Sequence, residues 1–183
     1  MAAALWVCCT LGHAQADDIA IQVTYNSGVF HLMFEMDTPL SREAVYAQLT
    51  DYAHLSLLNP SIRESKITGR DPDGNPRVQT RIRGCVAFFC KTMVRVERVI
   101  EMPPGLLSMK ILPQLSDFKS GWAEWSLQPT RSGTHILYRA SIEPRFEIPA
   151  LVGPWLIKGA LINELEVTMH ALTGAPAENL FEF

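Results

Sequence analysis

The sequence predicts an α+β domain: a curved antiparallel β-sheet wrapped around one long C-terminal α-helix, with two short helices after the first strand or hairpin. Three observations predict it. First, the stretch 149–172 is apolar at three- and four-residue steps, with Leu151, Trp155, Ile162, Leu165, Met169 and Leu172 on one face. Second, Val152, Leu156, Ile157, Ala160 and Leu161 widen that face until little of the first half stays polar. A helix apolar nearly all round must be enclosed. Third, almost everything upstream reads as strand punctuated by Gly, Pro, Asn and Asp turns. A sheet of that size twists and curls, and it closes round a rod.

The elements follow in order. Residues 19–25 alternate, Asn26-Ser27-Gly28 turns the chain, and 29–36 returns with Phe30, Leu32, Phe34 and Met36 on one face. Thr38-Pro39 reads as an N-cap with proline at the first helical position. A helix over 40–50 then turns Val45 and Leu49 inward, and a second short helix or turn runs to Leu58. Asp51 is expected to cap it. Strands follow at 62–69, 77–85, 90–102, 106–112, 118–128 and 134–146, with Asp71-Pro-Asp-Gly-Asn-Pro76 the clearest turn. The 77–85 strand is expected to pair with 90–102. Pro149 or Pro154 suits the first turn of the last helix, and Gly174 with Pro176 ends it. At 1.5 Å per residue that helix is about 35 Å long, enough to cross a small domain.

The chain has 183 residues, 48% hydrophobic, and a net charge of −3, which suits one domain with a substantial core. With no basic stripe, nucleic acid is not an expected partner. Residues 1–16 carry no Lys, Arg, Asp or Glu, and Ala14-Gln15-Ala16 is an A-x-A cleavage signal. The expected organisation is a signal peptide over 1–16 cut after Ala16, one domain over 17–174, and a loose tail over 175–183. The competing reading of 1–16 is a buried N-terminal helix. Export leads to the periplasm or the medium, where Cys85 and Cys90 invite a disulfide. Facing positions on a hairpin lie near the required separation. Buried free thiols, or redox or metal chemistry, are the alternatives.

Several short signatures carry a family resemblance. They are Leu49-Thr50-Asp51-Tyr52 with Leu58-Asn59-Pro60; Arg83-Gly84-Cys85 with Phe88-Phe89-Cys90; Ser116-Asp117-Phe118, Gly121-Trp122 and Trp125; and Gly133-Thr134, Tyr138 and the run from Glu143 to Pro149. Together with the element order over 20–172 they resemble the START-like (SRPBCC) superfamily, and within it the polyketide cyclase/dehydratase and lipid-transport domains. The resemblance implies a helix-grip fold with a hydrophobic tunnel between sheet and helix. It also implies a ligand among lipids, sterols, plant hormones, quinones or polyketides, with cyclisation or dehydration in some members. Fold alone does not choose among them.

No metal site is expected: the histidines are scattered and no cysteine spacing suits zinc. No cofactor is expected either, since no Gly-rich phosphate loop follows a strand, and no G-x-S-x-G marks a nucleophilic serine. A tunnel needs apolar walls and a few polar groups to orient a head group. The wall candidates are Phe34, Tyr52, Leu55, Leu58, Ile82, Val94, Ile111, Phe118, Trp125, Tyr138, Phe146, Leu156, Ala160 and Leu161. Arg81, Arg83, Arg95, Arg98 and Arg139 share the strands with Glu97, Glu101, Glu124 and Glu143. Facing out, they are cross-strand ion pairs. Facing in, Arg81 or Arg139 near Tyr138 is the expected anchor for a carboxylate, phosphate or carbonyl oxygen. The ligand-contacting set is therefore Tyr52, Leu58, Arg81, Phe118, Trp125, Tyr138, Arg139, Leu156 and Ala160. Asp117 is expected to cap a turn beside Ser116.

These readings favour a monomeric, non-enzymatic carrier of a lipid-like or quinone-like molecule. The alternatives are a cyclase or dehydratase, which needs titratable groups converging in the cavity, and a module docking on a membrane or protein through Phe88-Phe89 or residues 113–118. Membrane contact would then be transient.

Overall fold

A computed structural model describes residues 20–86, 89–145 and 153–173. The expected signal peptide, the tail, and Phe88, Phe146, Pro149, Leu151 and Val152 lie outside the described residues. Two strands open the domain, β1 (Ala20–Asn26) and β2 (Val29–Thr38), followed by the helix α1 (Arg42–Thr50) and a single helical turn at Leu55–Leu57. Six strands come next: β3 (Ile62–Arg70), β4 (Pro76–Val86), β5 (Phe89–Met102), β6 (Leu106–Ile111), β7 (Phe118–Pro129) and β8 (Thr134–Pro144). A short turn at Pro113–Leu115 lies between β6 and β7, and α2 (Gly153–Leu172) ends the described chain. No helix among the described residues is long and apolar enough to cross a membrane.

All neighbours in the eight-stranded sheet are antiparallel, in the order β1-β2-β8-β7-β6-β5-β4-β3. The last strand thus returns beside the second. β3 begins at the far edge, so the segment carrying α1 must pass from one side of the sheet to the other. Ser27 and Gly28, at φ 49° and 91°, make the tight β1–β2 turn. Strand alternation then puts Phe30, Leu32, Phe34 and Met36 on the inner face, all buried. Register carries that face across the sheet, because Phe34 opposes Tyr138, Tyr138 opposes Trp125, and Trp125 opposes Leu107. The rings of Phe34, Tyr138 and Trp125 pack within 4.4–5.4 Å of one another.

Local expectations at the first helix change. Ser41, not Thr38, caps α1, accepting a bond from Ala44 N at 3.2 Å. Thr38 stays in β2, where its hydroxyl donates to the carbonyl of Leu172 at 2.8 Å and ties β2 to the end of α2. Asp51 does not cap the following turn; its carboxylate lies 2.9 Å from Nδ1 of His54. Asp117 and Ser116 serve β5 instead of capping a local turn. Their side chains accept the backbone N–H groups of Val94 and Val96, where β6 has already ended, so they finish the edge of β5.

The long helix is only half enclosed. Leu165, Val167, Met169 and Leu172 are buried, but Trp155 is 72% exposed, and Leu156, Ile157, Ala160, Leu161 and Ile162 are part-buried. Position along the helix explains Trp155: at about 100° per residue it lies within about 40° of the buried Met169, but it sits in the first turn, beyond the reach of the sheet. The sheet grips the C-terminal half of the rod and stands off from the N-terminal half.

Cys85 and Cys90 face each other across β4 and β5 and are disulfide-bonded. Closing so short a loop contributes about 2 kcal/mol by chain entropy. Replacing both with serine is expected to speed amide exchange at Val86, Phe89 and Lys91 by about tenfold or more. Global stability should fall by no more than about 2 kcal/mol. Hydrogen exchange combined with a urea melt checks both.

Candidate functional site

Where the sheet stands off from α2 there is a cavity of about 270 Å³. Its walls come from the inner faces of β4, β5, β7 and β8, from the turn carrying Leu55 and Leu58, and from Ile157, Leu161 and Leu165 of α2. Tyr52, Leu58, Phe118, Trp125 and Tyr138 of the expected set line it, as do Leu55, Ile82 and Leu161. The other expected residues do not. Leu156 and Ala160 each lie one residue from a lining position, and one residue on a helix is about 100° of rotation. Phe34 and Ile111 are buried beside the cavity and do not line it. Val94 lies between the lining residues Met93 and Arg95, on the opposite face of β5.

The two expected anchors, Arg81 and Arg139, face outward. Arg81 separates the inward Thr80 and Ile82 and lies 3.8 Å from Glu64. Arg139 follows Tyr138 directly, and consecutive strand residues cannot share a face. It opposes Glu124 on β7 and is exposed. The arginine that does enter is Arg95. It and Glu97, two residues on, share the inner face of β5 with Met93 and Val99. Glu97 Oε2 is 3.1 Å from Arg95 Nε, and the Glu97 side chain is only 6% exposed. Nε is buried and not aligned into a directed hydrogen bond. The attraction is therefore ionic, and the guanidinium keeps donors for something else.

Most other polar groups in the wall are already engaged. Asn59 Nδ2 donates to the carbonyl of Glu164 and to Thr168 Oγ1, both at 3.1 Å, and its Oδ1 accepts Ser61 N at 2.9 Å. This side chain latches the Leu55–Leu57 turn to the middle of α2. Tyr52 donates to Glu101 at 2.8 Å. The Tyr138 hydroxyl is different: among the described residues it has no hydrogen-bond partner. Three groups with unspent polar capacity, Arg95, Glu97 and Tyr138, thus line one largely apolar space.

Burial pushes the Tyr138 phenol up to about 12, with Arg95 pulling it down and Glu97 pushing it up. Burial also raises Tyr52, helped by its bond to Glu101. Tyr138 is therefore a donor throughout the neutral range. Its proton is held more tightly folded than unfolded, where tyrosine ionises near pH ~10. Its contribution is complete below that pH and is lost as pH rises toward about 12. Urea stability is expected to fall over this window, and to fall less steeply in Tyr138→Phe.

Sequence reasoning placed Arg95 and Glu97 among the strand charges and missed their role. The signal was the alternation Met93, Arg95, Glu97, Val99, which puts two charges between two apolar residues on one face. Asn59 stood in a quoted signature, yet nothing local marked it as a latch to residues 105 and 109 positions away.

The sequence model described as "Polyketide cyclase / dehydrase and lipid transport" matches residues 38–164. Comparison with curated proteins gives no match. Among solved structures, the chain is similar to a START superfamily protein from Mycobacterium smegmatis, at 18% identity and TM-score 0.58, covering 81% of this chain and 96% of that one. A STAR-related lipid transfer protein from Xanthomonas axonopodis is similar at 13% identity and TM-score 0.59, covering 84% and 97%. The Zhui aromatase/cyclase from a Streptomyces species is similar at 13% identity and TM-score 0.55, covering 80% and 90%. At such identities the likeness is one of fold.

Proposed function

The chain belongs to the polyketide cyclase/dehydrase and lipid transport family, within the START-like superfamily, and on that footing we propose that it binds and carries a neutral, largely hydrophobic small molecule, lipid-like or quinone-like. The observation that carries this is the pairing of Arg95 with Glu97 beside the Tyr138 hydroxyl, which has no hydrogen-bond partner among the described residues, inside largely apolar walls. The pair is neutral overall, so a charged head group would bring an uncompensated charge into a poorly hydrated site. A carbonyl or hydroxyl oxygen instead accepts from Arg95 and Tyr138 at no such cost. The volume sits near the small end for ligand sites, so a ring or head group fills it and a longer tail leaves along the half-open part of α2.

A monomer is proposed as the working unit. Residues 1–16 are proposed to direct export and to be removed after Ala16, with the carrier acting in the periplasm or outside the cell. Intact-mass measurement of protein recovered from that compartment tests the cut.

Native mass spectrometry of protein purified without detergent tests the carrier. The expected result is a complex whose extra mass is released by organic extraction as a neutral, weakly polar compound. A bare chain that no lipid or quinone extract stabilises against heat overturns the reading. A second reading, cyclisation or dehydration, is favoured by the same three groups. Arg95 and Tyr138 would polarise a carbonyl while Glu97 takes a proton. Recovery of the extracted compound chemically changed after incubation distinguishes this from carriage.

A further inference from the structure

Arg95, Glu97 and Tyr138 stand on the sheet side of the cavity. The opposite side, where α2 meets the segment after α1, holds two more polar side chains. Glu164 and Ser61 line the same space, and both are half-buried. On α2 the lining residues Ile157, Leu161, Leu165 and Thr168 fall within an arc of about 80°. Glu164 lies about 20° from Ile157 and about 40° from Thr168, at the margin of that arc. Its side chain therefore leaves the helix toward the cavity.

Asn59 brings the two together. Its Nδ2 donates to the backbone carbonyl of Glu164 and to Thr168 Oγ1, while its Oδ1 accepts Ser61 N. The Thr168 hydroxyl donates to the same Glu164 carbonyl at 2.9 Å. These bonds engage the main chain at 61 and 164 and leave the side chains unused. Among the described residues, neither the Glu164 carboxylate nor the Ser61 hydroxyl has a hydrogen-bond or ionic partner. A latch between this segment and α2 needs only the backbone of residue 164. A carboxylate turned toward a largely apolar space is costly unless something donates to it.

Resting on the carrier role above, we propose that Glu164 and Ser61 form a second polar station, which binds a hydroxyl group of the cargo. The cargo is then a hydrophobic molecule with a carbonyl-type oxygen at one point, for Arg95 and Tyr138, and a hydroxyl at another. A carboxylate only accepts, so the cargo must donate to Glu164. The Ser61 hydroxyl donates in turn to the oxygen of that same group, so that both capacities of a hydroxyl are met. A hydroxyl fits better than an ammonium group. Glu164 is half-buried, so water screens its charge, whereas a cationic cargo would bring its full charge into walls that are largely apolar.

The test uses the full chain and three matched ketones, decan-2-one and its ω-hydroxy and ω-methoxy derivatives, titrated calorimetrically. Each offers a carbonyl and a similar apolar length, and only the hydroxy ketone donates at its other end. It is expected to bind about tenfold more tightly than the methoxy ketone, as one hydrogen bond to a charged group allows. Glu164→Ala should cut that ratio to less than about twofold, and Ser61→Ala should lower it by about threefold. Glu166→Ala is the control. Glu166 is exposed and lies about 180° round the helix from Ile157, so the ratio should stay as it was. A ratio near one in the unaltered chain, with the ketones bound, overturns the hydroxyl station and leaves carriage standing. A ratio that survives Glu164→Ala overturns the station too. Failure of every ketone to bind overturns carriage and station together.

Discussion

Arg95→Met is expected to destabilise the protein by about 3–4 kcal/mol, among the largest effects any single cavity substitution will have. The loss comes less from the missing attraction than from what is left behind. Glu97 remains, 6% exposed, with its nearest cation gone. Its neighbours across the sheet are Val78 and Ile111, which have nothing to offer a carboxylate. The partner experiment decides the cause. Adding Glu97→Leu to Arg95→Met should restore stability to within about 1 kcal/mol of the original, since buried ion pairs replaced by apolar groups of similar size are often neutral or stabilising. Urea denaturation of the two single variants and the double variant closes the cycle. A single-variant loss under about 1 kcal/mol would mean that water in the cavity already solvates Glu97. The double variant should fold and keep the cavity while losing its preference for an oxygen-bearing head group. That would show the pair being retained for recognition at no gain in stability.

Gly133→Ala should cost about 3–5 kcal/mol, for a steric reason. Gly133 has φ +154°, and a Cβ there would collide with the carbonyl oxygen of Thr38 and meet Cα of Pro39 at 2.8 Å. Both are backbone atoms, so relief requires moving the chain. That chain is held from several sides. Thr38 binds the last carbonyl of α2, and Thr134, next to Gly133, donates to the carbonyl of Leu40 at 2.8 Å. The end of β2, the approach to α1, the start of β8 and the end of α2 meet at this point, and a shift at one is felt by all. Gly84→Ala is the control. Its added Cβ would touch only Met93 Cε at 3.4 Å, and it should change stability by less than about 1 kcal/mol. Thermal melts of the two variants, run side by side, read the difference.

Much of the fold was legible because it is local. The Asn26-Ser27-Gly28 turn, the Asp71–Pro76 turn and the facing cysteines at 85 and 90 each follow from a few adjacent residues, and all are present. Asp71 Oδ1 takes the N–H groups of both Asp73 and Asn75, which is why that turn announced itself. Thr38 misled because a hydroxyl before a proline is a good local cap. The carbonyl that claimed it, Leu172, is 134 positions away. Trp155 misled because a hydrophobic stripe marks which residues share a face without marking how far along the helix the sheet reaches.

The cavity divides in the same way. Strand period by itself determined that Arg95 goes with Glu97, that Arg81 goes with Arg83, and that Arg139 must face away from Tyr138. Helix period determined that Leu156 lies about 100° round the helix from Ile157, and Ala160 about 100° from Leu161. Which member of each alternative looks inward was decided only by the tertiary structure. A strand or helix has two faces until something covers one of them, and the covering comes from register across eight strands and from α2, laid down last in the chain.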